Sequence, residues 1–247
     1  MKEYINLTPE NIDEEHICCA IGDPKHKEGV DKKKEWIKGR LKDGHIFRKL
    51  NARGKMFIEY EPIETAWAPV VGKNYEYIYC LWVAGSFKSK GIGRELLEYA
   101  IDDAKKKGKS GICTIVSKKK KPFLGEKNFF THFGFEVVDS ANDYELLALK
   151  FDNSDTPKFS DSVRDIKIDS NDFTIYYSYE CPYVLHQVEE LNEYAKEKGI
   201  SISFIKIDTL EKAKNAPCIF NNWANFYKGK FISNTILNAN ALEKLLK

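Results

Sequence analysis

The amino-acid sequence predicts an α/β (α+β) protein: a sheet flanked by helices, followed by a second, smaller α/β domain. Three observations carry this. Residues 75–108 read as a strand, a glycine-bearing loop and an amphipathic helix. Short β-rich runs and helical patterns alternate on both sides of that unit. Between residues 151 and 171 the texture turns polar, with Asp152, Asn153, Ser154, Asp155 and Pro157, before the alternation resumes. The expected organisation is a first domain over 1–150, a linker over 151–171 and a second domain over 172–247.

Taken in order, residues 9–15 read as a first helix and 32–41 as a second. Residues 45–50 and 55–61 form a hairpin around Asn51 and Gly54, and 63–69 supply a further strand. Residues 75–83 are β-branched and aromatic, a strand. Leu96, Leu97, Ala100, Ile101 and Ala104 recur at three- and four-residue steps, a helix that closes near Gly108. The apolar run 111–116 is a short buried strand. A helix follows at about residue 127 and stops at Gly134, since glycine enters the left-handed region without a steric penalty. Strands at 135–138 and 144–149 close the sheet. In the tail, 173–178 is a strand, an amphipathic helix runs to about residue 198, and 200–207 is a second strand. Residues 216–219 and 229–233 precede a last helix that ends at Leu246.

Composition excludes several classes. The 247 residues carry a net charge of +2 with lysines spread along the chain, which argues against nucleic acid and lipid surfaces. No apolar run reaches the length of a membrane span, and acids stand where a signal peptide would be apolar. Six cysteines in a chain of this length are not a disulfide scaffold. A cytoplasmic protein is expected.

The loop VAGSFKSKGIGRELL, from Val83 to Leu97, carries the chemistry. Gly91 and Gly93 remove side chains that would hold a ligand away from the backbone, and the free N–H groups of the first helical turn make an anion site. Lys88, Lys90 and Arg94 add positive charge. The spacing is not that of a Walker loop, because Ile92 stands where lysine should follow the second glycine, and Leu96 breaks a dinucleotide fingerprint.

Lys88-x-x-Gly91-x-Gly93 after a strand resembles motif A of the GNAT acetyltransferases, with Lys88 in place of the usual Gln or Arg. The segment from Lys127 to Val138, with its Gly134-Phe135 corner, resembles the late segment of the same family. The resemblance implies acetyl-CoA as co-substrate, held by Trp82, Val83, Lys88, Ser89, Lys90, Gly91, Ile92, Gly93, Arg94, Asn128 and Phe130. Family members often carry a tyrosine four residues before the glycine, which protonates the departing thiolate. Phe130 stands there, and a one-residue shift offers only Phe129. A thiol has a pKa of about 8.5, so its thiolate leaves without a strong acid.

Glu180-Cys181-Pro182-Tyr183 after the first tail strand resembles the active corner of thioredoxin-like folds, the glutaredoxin branch most closely, with Pro217 at the place of their cis-proline. Val184 replaces the second cysteine of a CxxC, so dithiol exchange through that motif is not available. A GNAT domain followed by such a tail resembles the YoaP-like acetyltransferases, as do the segments at 57–60, 66–69 and 119–123. The resemblance implies an amine acceptor, small molecule or peptide, without naming it.

A protonated amine must lose a proton before it attacks a thioester. Tyr79 or Glu64 ordering a water is the expected arrangement, with Glu59 and Glu61 as rivals. Simple alternation puts Tyr77, Tyr79 and Leu81 on one face of the strand and Glu76, Ile78 and Cys80 on the other. Trp67 and Trp82 line the acceptor pocket or pack in the core. His16 with Cys18 and Cys19 lacks a second ligand pair, so packing is preferred to zinc, and no metal is expected. Residues 118–121 read as a solvated charge run rather than a phosphate contact. Cys181, at a helix start, is either a reactive thiol or an unused position, and pairing with Cys218 is the less favoured outcome. Two functions stand: an N-acetyltransferase acting by direct transfer, and an acyl-CoA-binding regulatory or scaffold protein whose tail binds a partner.

Overall fold

In the computed structural model, residues 2–17, 20, 22–119, 121, 124–219 and 222–246 are described. The first elements are strand β1 (Tyr4–Asn6), helix α1 (Lys27–Leu41), strands β2 (Ile46–Leu50), β3 (Met56–Pro62), β4 (Val70–Val71) and β5 (Tyr75–Val83), and helix α2 (Ile92–Lys106). Then come β6 (Gly111–Ser117), α3 (Lys127–His132), β7 (Glu136–Ala141), β8 (Tyr144–Lys150) and β9 (Lys158–Phe159). Seven strands form one sheet in the order β1-β2-β3-β5-β6-β8-β7. Its pairs are antiparallel except β5–β6, which run parallel. Parallel neighbours need a long crossover, and α2 supplies it. The apolar stripe of α2, Ile92, Leu96, Leu97, Ala100, Ile101 and Ala104, packs on Ile58, Tyr60, Ile78, Ile112, Val116 and Leu147 in one core.

Two features of β5 shape the site. The register with β3 pairs Glu59 with Cys80 but Tyr60 with Ile78, so Tyr79 is an extra residue in the ladder. Such a bulge shifts the alternation by one residue. Ile58 lies opposite Leu81 and Tyr60 opposite Ile78, and all four belong to the core under α2. Leu81 therefore shares a face with Ile78, not with Tyr79, which corrects the simple alternation. Pairing with β6 ends at Ile78 and Thr114, where the Thr114 hydroxyl donates to the Ile78 carbonyl at 3.1 Å. Beyond that point the two strands separate.

Two expected elements are turns. Residues 9–15 form turns and no helix: the Ile12 and Glu15 N–H groups reach the Thr8 and Asn11 carbonyls, while Asn11 Oδ1 accepts from the Thr8 N–H at 2.8 Å and its amide donates to the Asn6 carbonyl. Residues 63–69 turn instead of extending, with the Thr65 N–H on the Pro62 carbonyl and the Arg40 guanidinium on the Thr65 carbonyl at 2.5 Å. Only Val70 and Val71 are extended there, paired with β9.

The chain divides into two compact units, Met1–Ile21, Ile37–Ala66 and Val70–Ser160 in the first, and Gly22–Trp36, Trp67–Pro69 and Asp161–Lys247 in the second. The division follows packing rather than chain order: Trp36 meets Trp67 edge-on within the second unit, with ring centroids 5.9 Å apart.

The second unit continues with β10 (Phe173–Tyr177), α4 (Val184–Lys198), β11 (Ile202–Lys206), α5 (Leu210–Lys214), β12 (Trp223–Tyr227), β13 (Lys230–Ser233) and α6 (Ala239–Leu246). Its sheet order is β11-β10-β12-β13, with β10 parallel to β11 and antiparallel to β12. The third strand is β12, and at residues 216–219 Cys218 is buried in a small cluster with Ala224 and Phe226. Among the described residues no peptide bond is cis, so the bond before Pro217 is trans. Cys181 and Cys218 are not joined in a disulfide.

Cys181 is 7% exposed and packs with Phe173, Ile175 and Val184. Gly29 fits so closely over the next residue that a Cβ there would fall 1.9 Å from the Pro182 carbonyl oxygen. Such a thiol is shielded. Mild alkylation of the native protein followed by mass spectrometry is expected to label half-exposed Cys80 before Cys181. Faster labelling of Cys181 would show that this corner opens.

Candidate functional site

A cleft of about 710 Å³ lies at the end of β5 in the first unit. Its walls come from the end of β5, the loop before α2, the first turn of α2 and the segment entering α3. Nine of the expected residues line it: Trp82, Val83, Lys88, Ser89, Gly91, Ile92, Gly93, Arg94 and Phe130. Gly91 is the N-cap of α2 in the left-handed region at φ +76°. A Cβ built there would meet nothing nearer than Glu95 Oε1 at 3.8 Å. The space above the helix start is therefore open, and no N-cap side chain takes up the first amide groups. A Cβ built at Gly93 would lie in ordinary contact, 3.7 Å from Val83 and from the Phe129 ring. Ser89 also lies at positive φ, so the loop turns back on itself and puts Lys88 at the mouth.

The expected set needs several corrections. Lys90 does not line the cleft; its ammonium stacks 5.6 Å from the Phe87 ring centroid. Asn128 is exposed on α3, outside the wall. Arg94 lines the cleft while pairing with Glu98 at 2.8 Å. Glu64 is remote: its carboxylate accepts from the Asn74 N–H at 2.6 Å, at the start of β5, whereas the cleft lies at the end of that nine-residue strand. Trp67 belongs to the second unit, packed against Ile207, Ala213 and Ala216. Trp82 is 41% exposed at the mouth, so it is cleft-lining rather than core.

Sequence reading missed part of the wall. Phe87, Lys121, Leu124, Gly125, Glu126 and Phe129 also line the cleft. Lys121 was read with a solvated run, yet it reaches both the cleft and Asp143 at 3.2 Å. Lys120 of that run, Phe123 of the 119–123 segment, and Cys18 and Cys19 of the weighed metal motif lie outside the described residues. No group of three or more metal-ligating side chains occurs among those described.

Behind the bulge sits a buried polar network. Tyr79 donates its phenol proton to Glu61. Glu61 also accepts from the Arg40 guanidinium at 3.1 Å on both oxygens and from His45 Nδ1 at 3.2 Å, while His45 Nε2 faces Glu59 at 3.2 Å. A carboxylate can only accept, so an imidazole between two of them needs a proton on each nitrogen. Burial alone would lower the His45 pKa, but the bonds to Glu59 and Glu61 outweigh it and the net shift is upward.

The sequence matches the family described as "Acetyltransferase (GNAT) family" over residues 13–135 and the one described as "YoaP-like" over 202–244. It is 39% identical over 245 residues to the uncharacterized N-acetyltransferase YoaP of Bacillus subtilis (strain 168), covering 98% of both chains. Solved structures with similar folds include PaiA N-acetyltransferase from Thermoplasma acidophilum in complex with coenzyme A, at 18% identity and TM-score 0.43 over 61% of this chain and 99% of that one. Another is a GNAT family acetyltransferase from Brucella melitensis in complex with acetyl-CoA, at 17% identity and TM-score 0.41 over 65% and 94%. Among the described residues no helix is long and apolar enough to cross a membrane. With a relative this similar over 98% of both chains, and the glycine loop set at a cleft at the end of β5, the chain belongs to the GNAT family of N-acetyltransferases and carries a YoaP-like C-terminal region.

Proposed function

We propose that this protein transfers the acetyl group of acetyl-CoA directly to an amine, a small molecule or a peptide terminus. The observation that carries the reading is the left-handed Gly91 at the open start of α2, beneath a cleft of cofactor size. Gly91, Ile92 and Gly93 offer backbone N–H groups to a pyrophosphate, with Lys88, Arg94 and Lys121 adding charge. Beyond Ile78, the edge of β5 toward β6 is free of strand pairing and is available to the amide groups of a pantetheine arm. Acetyl-CoA supplies an activated thioester; the chain supplies position and a path for one proton.

Tyr79 is the residue proposed to orient the acceptor. Its proton is committed to Glu61, so its oxygen presents lone pairs and accepts a hydrogen bond from the neutral amine, directly or through a water, and the proton lost on attack ends on the departing CoA thiolate. Glu64 has no part in this. Phe130 has no proton to give, and it is 2% exposed against Phe129 and Phe135. Phe130→Tyr is expected to leave turnover similar or modestly higher, at a cost of about 1 kcal/mol in stability for the added hydroxyl. Loss of all turnover in a folded variant would show that the cleft does not tolerate a polar group at this position.

The tail is read as thioredoxin-like, and its β-α-β-α-β-β-α order, with β10 parallel to the edge strand β11, supports that reading. Shielded Cys181 and Val184 make it a binding module rather than a dithiol catalyst. A cytoplasmic setting is part of the same proposal. CoA release measured over a panel of amines, peptides and aminoglycosides tests the enzyme reading. Tight acetyl-CoA binding without amine-dependent release would favour the second reading, an acyl-CoA-binding regulatory protein, to which the missing hydroxyl at Phe130 points.

A further inference from the structure

The N-terminal strand reaches across to the helix that carries the glycine loop. Tyr4 donates to Glu95 Oε2 at 2.5 Å, and Lys2 Nζ donates to Glu95 Oε1 at 2.5 Å. The same ammonium donates to the Lys90 carbonyl at 2.8 Å, one residue before Gly91. Further along, Asn6 donates to the Tyr99 hydroxyl at 3.0 Å, and the Arg48 guanidinium stacks 3.7 Å from the Tyr99 ring centroid. Glu95 and Tyr99 of α2 and the Lys90 carbonyl before it are thus fastened by Lys2, Tyr4, Asn6 and Arg48.

Glu95 explains why the fastening matters to an anion site. It stands in the first turn of α2, where a carboxylate is drawn to the same positive helix end that a pyrophosphate needs. Its Oε1 is the nearest atom to the open space over Gly91, at 3.8 Å from a Cβ built there. An unpaired carboxylate in that place competes with the ligand for the amide groups and repels its charge. Both of its oxygens are instead held by Lys2 and Tyr4, and the Lys2 bond, then the Tyr4 bond, keep it ionised below the usual carboxylate range.

We propose that Lys2 and Tyr4 are positioning residues for the acetyl-CoA loop: they fix Glu95 beside the pyrophosphate site with both of its oxygens occupied, and Lys2 cancels its charge while fixing the Lys90 carbonyl. The inference rests on the cofactor assignment of the previous subsection. It makes Glu95 a latent competitor of the ligand and Lys2 its neutraliser.

Calorimetric titration of the full chain with acetyl-CoA separates the possibilities. At low salt Lys2→Met is expected to weaken binding roughly fivefold, an effect that shrinks as salt screens exposed charges. Glu95→Gln keeps an acceptor for Tyr4 but removes the charge, and is expected to bind about twofold tighter than the parent, since one exposed charge at this range is worth under about 1 kcal/mol. The double variant Lys2→Met with Glu95→Gln should return close to the parent. Lys2→Arg should retain most of the affinity. A purely mechanical brace predicts otherwise: Glu95→Gln would weaken binding as Lys2→Met does, and the double variant would recover nothing. Either result overturns the inference. If Gly91→Val binds as the parent does, the cofactor assignment itself fails, and the two failures are thereby distinguished.

Discussion

Gly91→Val is expected to remove acetyl-CoA binding, with affinity falling at least a hundredfold, roughly 3 kcal/mol. Two effects act together. The residue sits at φ +76°, where a β-branched side chain is a steric outlier, so the loop must change course to accept it. Its methyls would also occupy the open space above the first amide groups of α2. Because a Cβ here meets no packed neighbour, the core under α2 should survive, and circular dichroism should show a folded protein. Calorimetry reads the affinity. Binding as tight as the parent's would mean that the ligand lies elsewhere.

The fold was legible where pattern and packing agree. The apolar steps of α2 and the aromatic and β-branched run of β5 stand where periodicity puts them, because each buries one face against the same core. The errors have local causes. Around Asn11 the turn bonds from Ile12 and Glu15 to the Thr8 and Asn11 carbonyls are not continued into the helix expected at 9–15. At 63–69 the Arg40 guanidinium captures the Thr65 carbonyl and bends what composition alone reads as a strand.

The site was legible as a loop and not as a cleft. Gly91, Gly93 and Lys88 are neighbours in the chain, so their spacing announces an anion site. The facing wall, Leu124 to Glu126 with Phe129, arrives from beyond β6 and carries no comparable spacing signal. The bulge at Tyr79 was equally hidden, since one additional residue in a ladder leaves composition unchanged. That one residue decides which side chains share a face with Leu81, and alternation alone assigns them wrongly. Glu61 was named only as a rival base, and the structure gives it a different use.

Glu61→Ala is expected to cost about 3–5 kcal/mol, the range for breaking one side of a buried charge network. The carboxylate is fully buried and accepts from Arg40, His45 and Tyr79 at once. Removing it leaves the guanidinium and the imidazole facing a void and frees the phenol at the bulge. The loss should read as a lower urea midpoint with an unchanged slope. The pH dependence follows from His45. Its folded pKa is raised above the ordinary 6.5 by Glu59 and Glu61 against the opposing effect of burial. A raised folded pKa contributes stability that is fully present below the unfolded pKa and is lost as pH rises through the folded one. The parent should therefore lose part of its stability on going from about pH 6 into the alkaline range. Glu61→Ala, with one of the two raising partners gone, should lose less over the same interval. A variant whose urea midpoint equals the parent's at every pH would show that the network carries no net stability. A variant that is destabilised but keeps the parent's pH slope would assign the cost to Arg40 and Tyr79 and leave His45 with Glu59 as its sole effective partner.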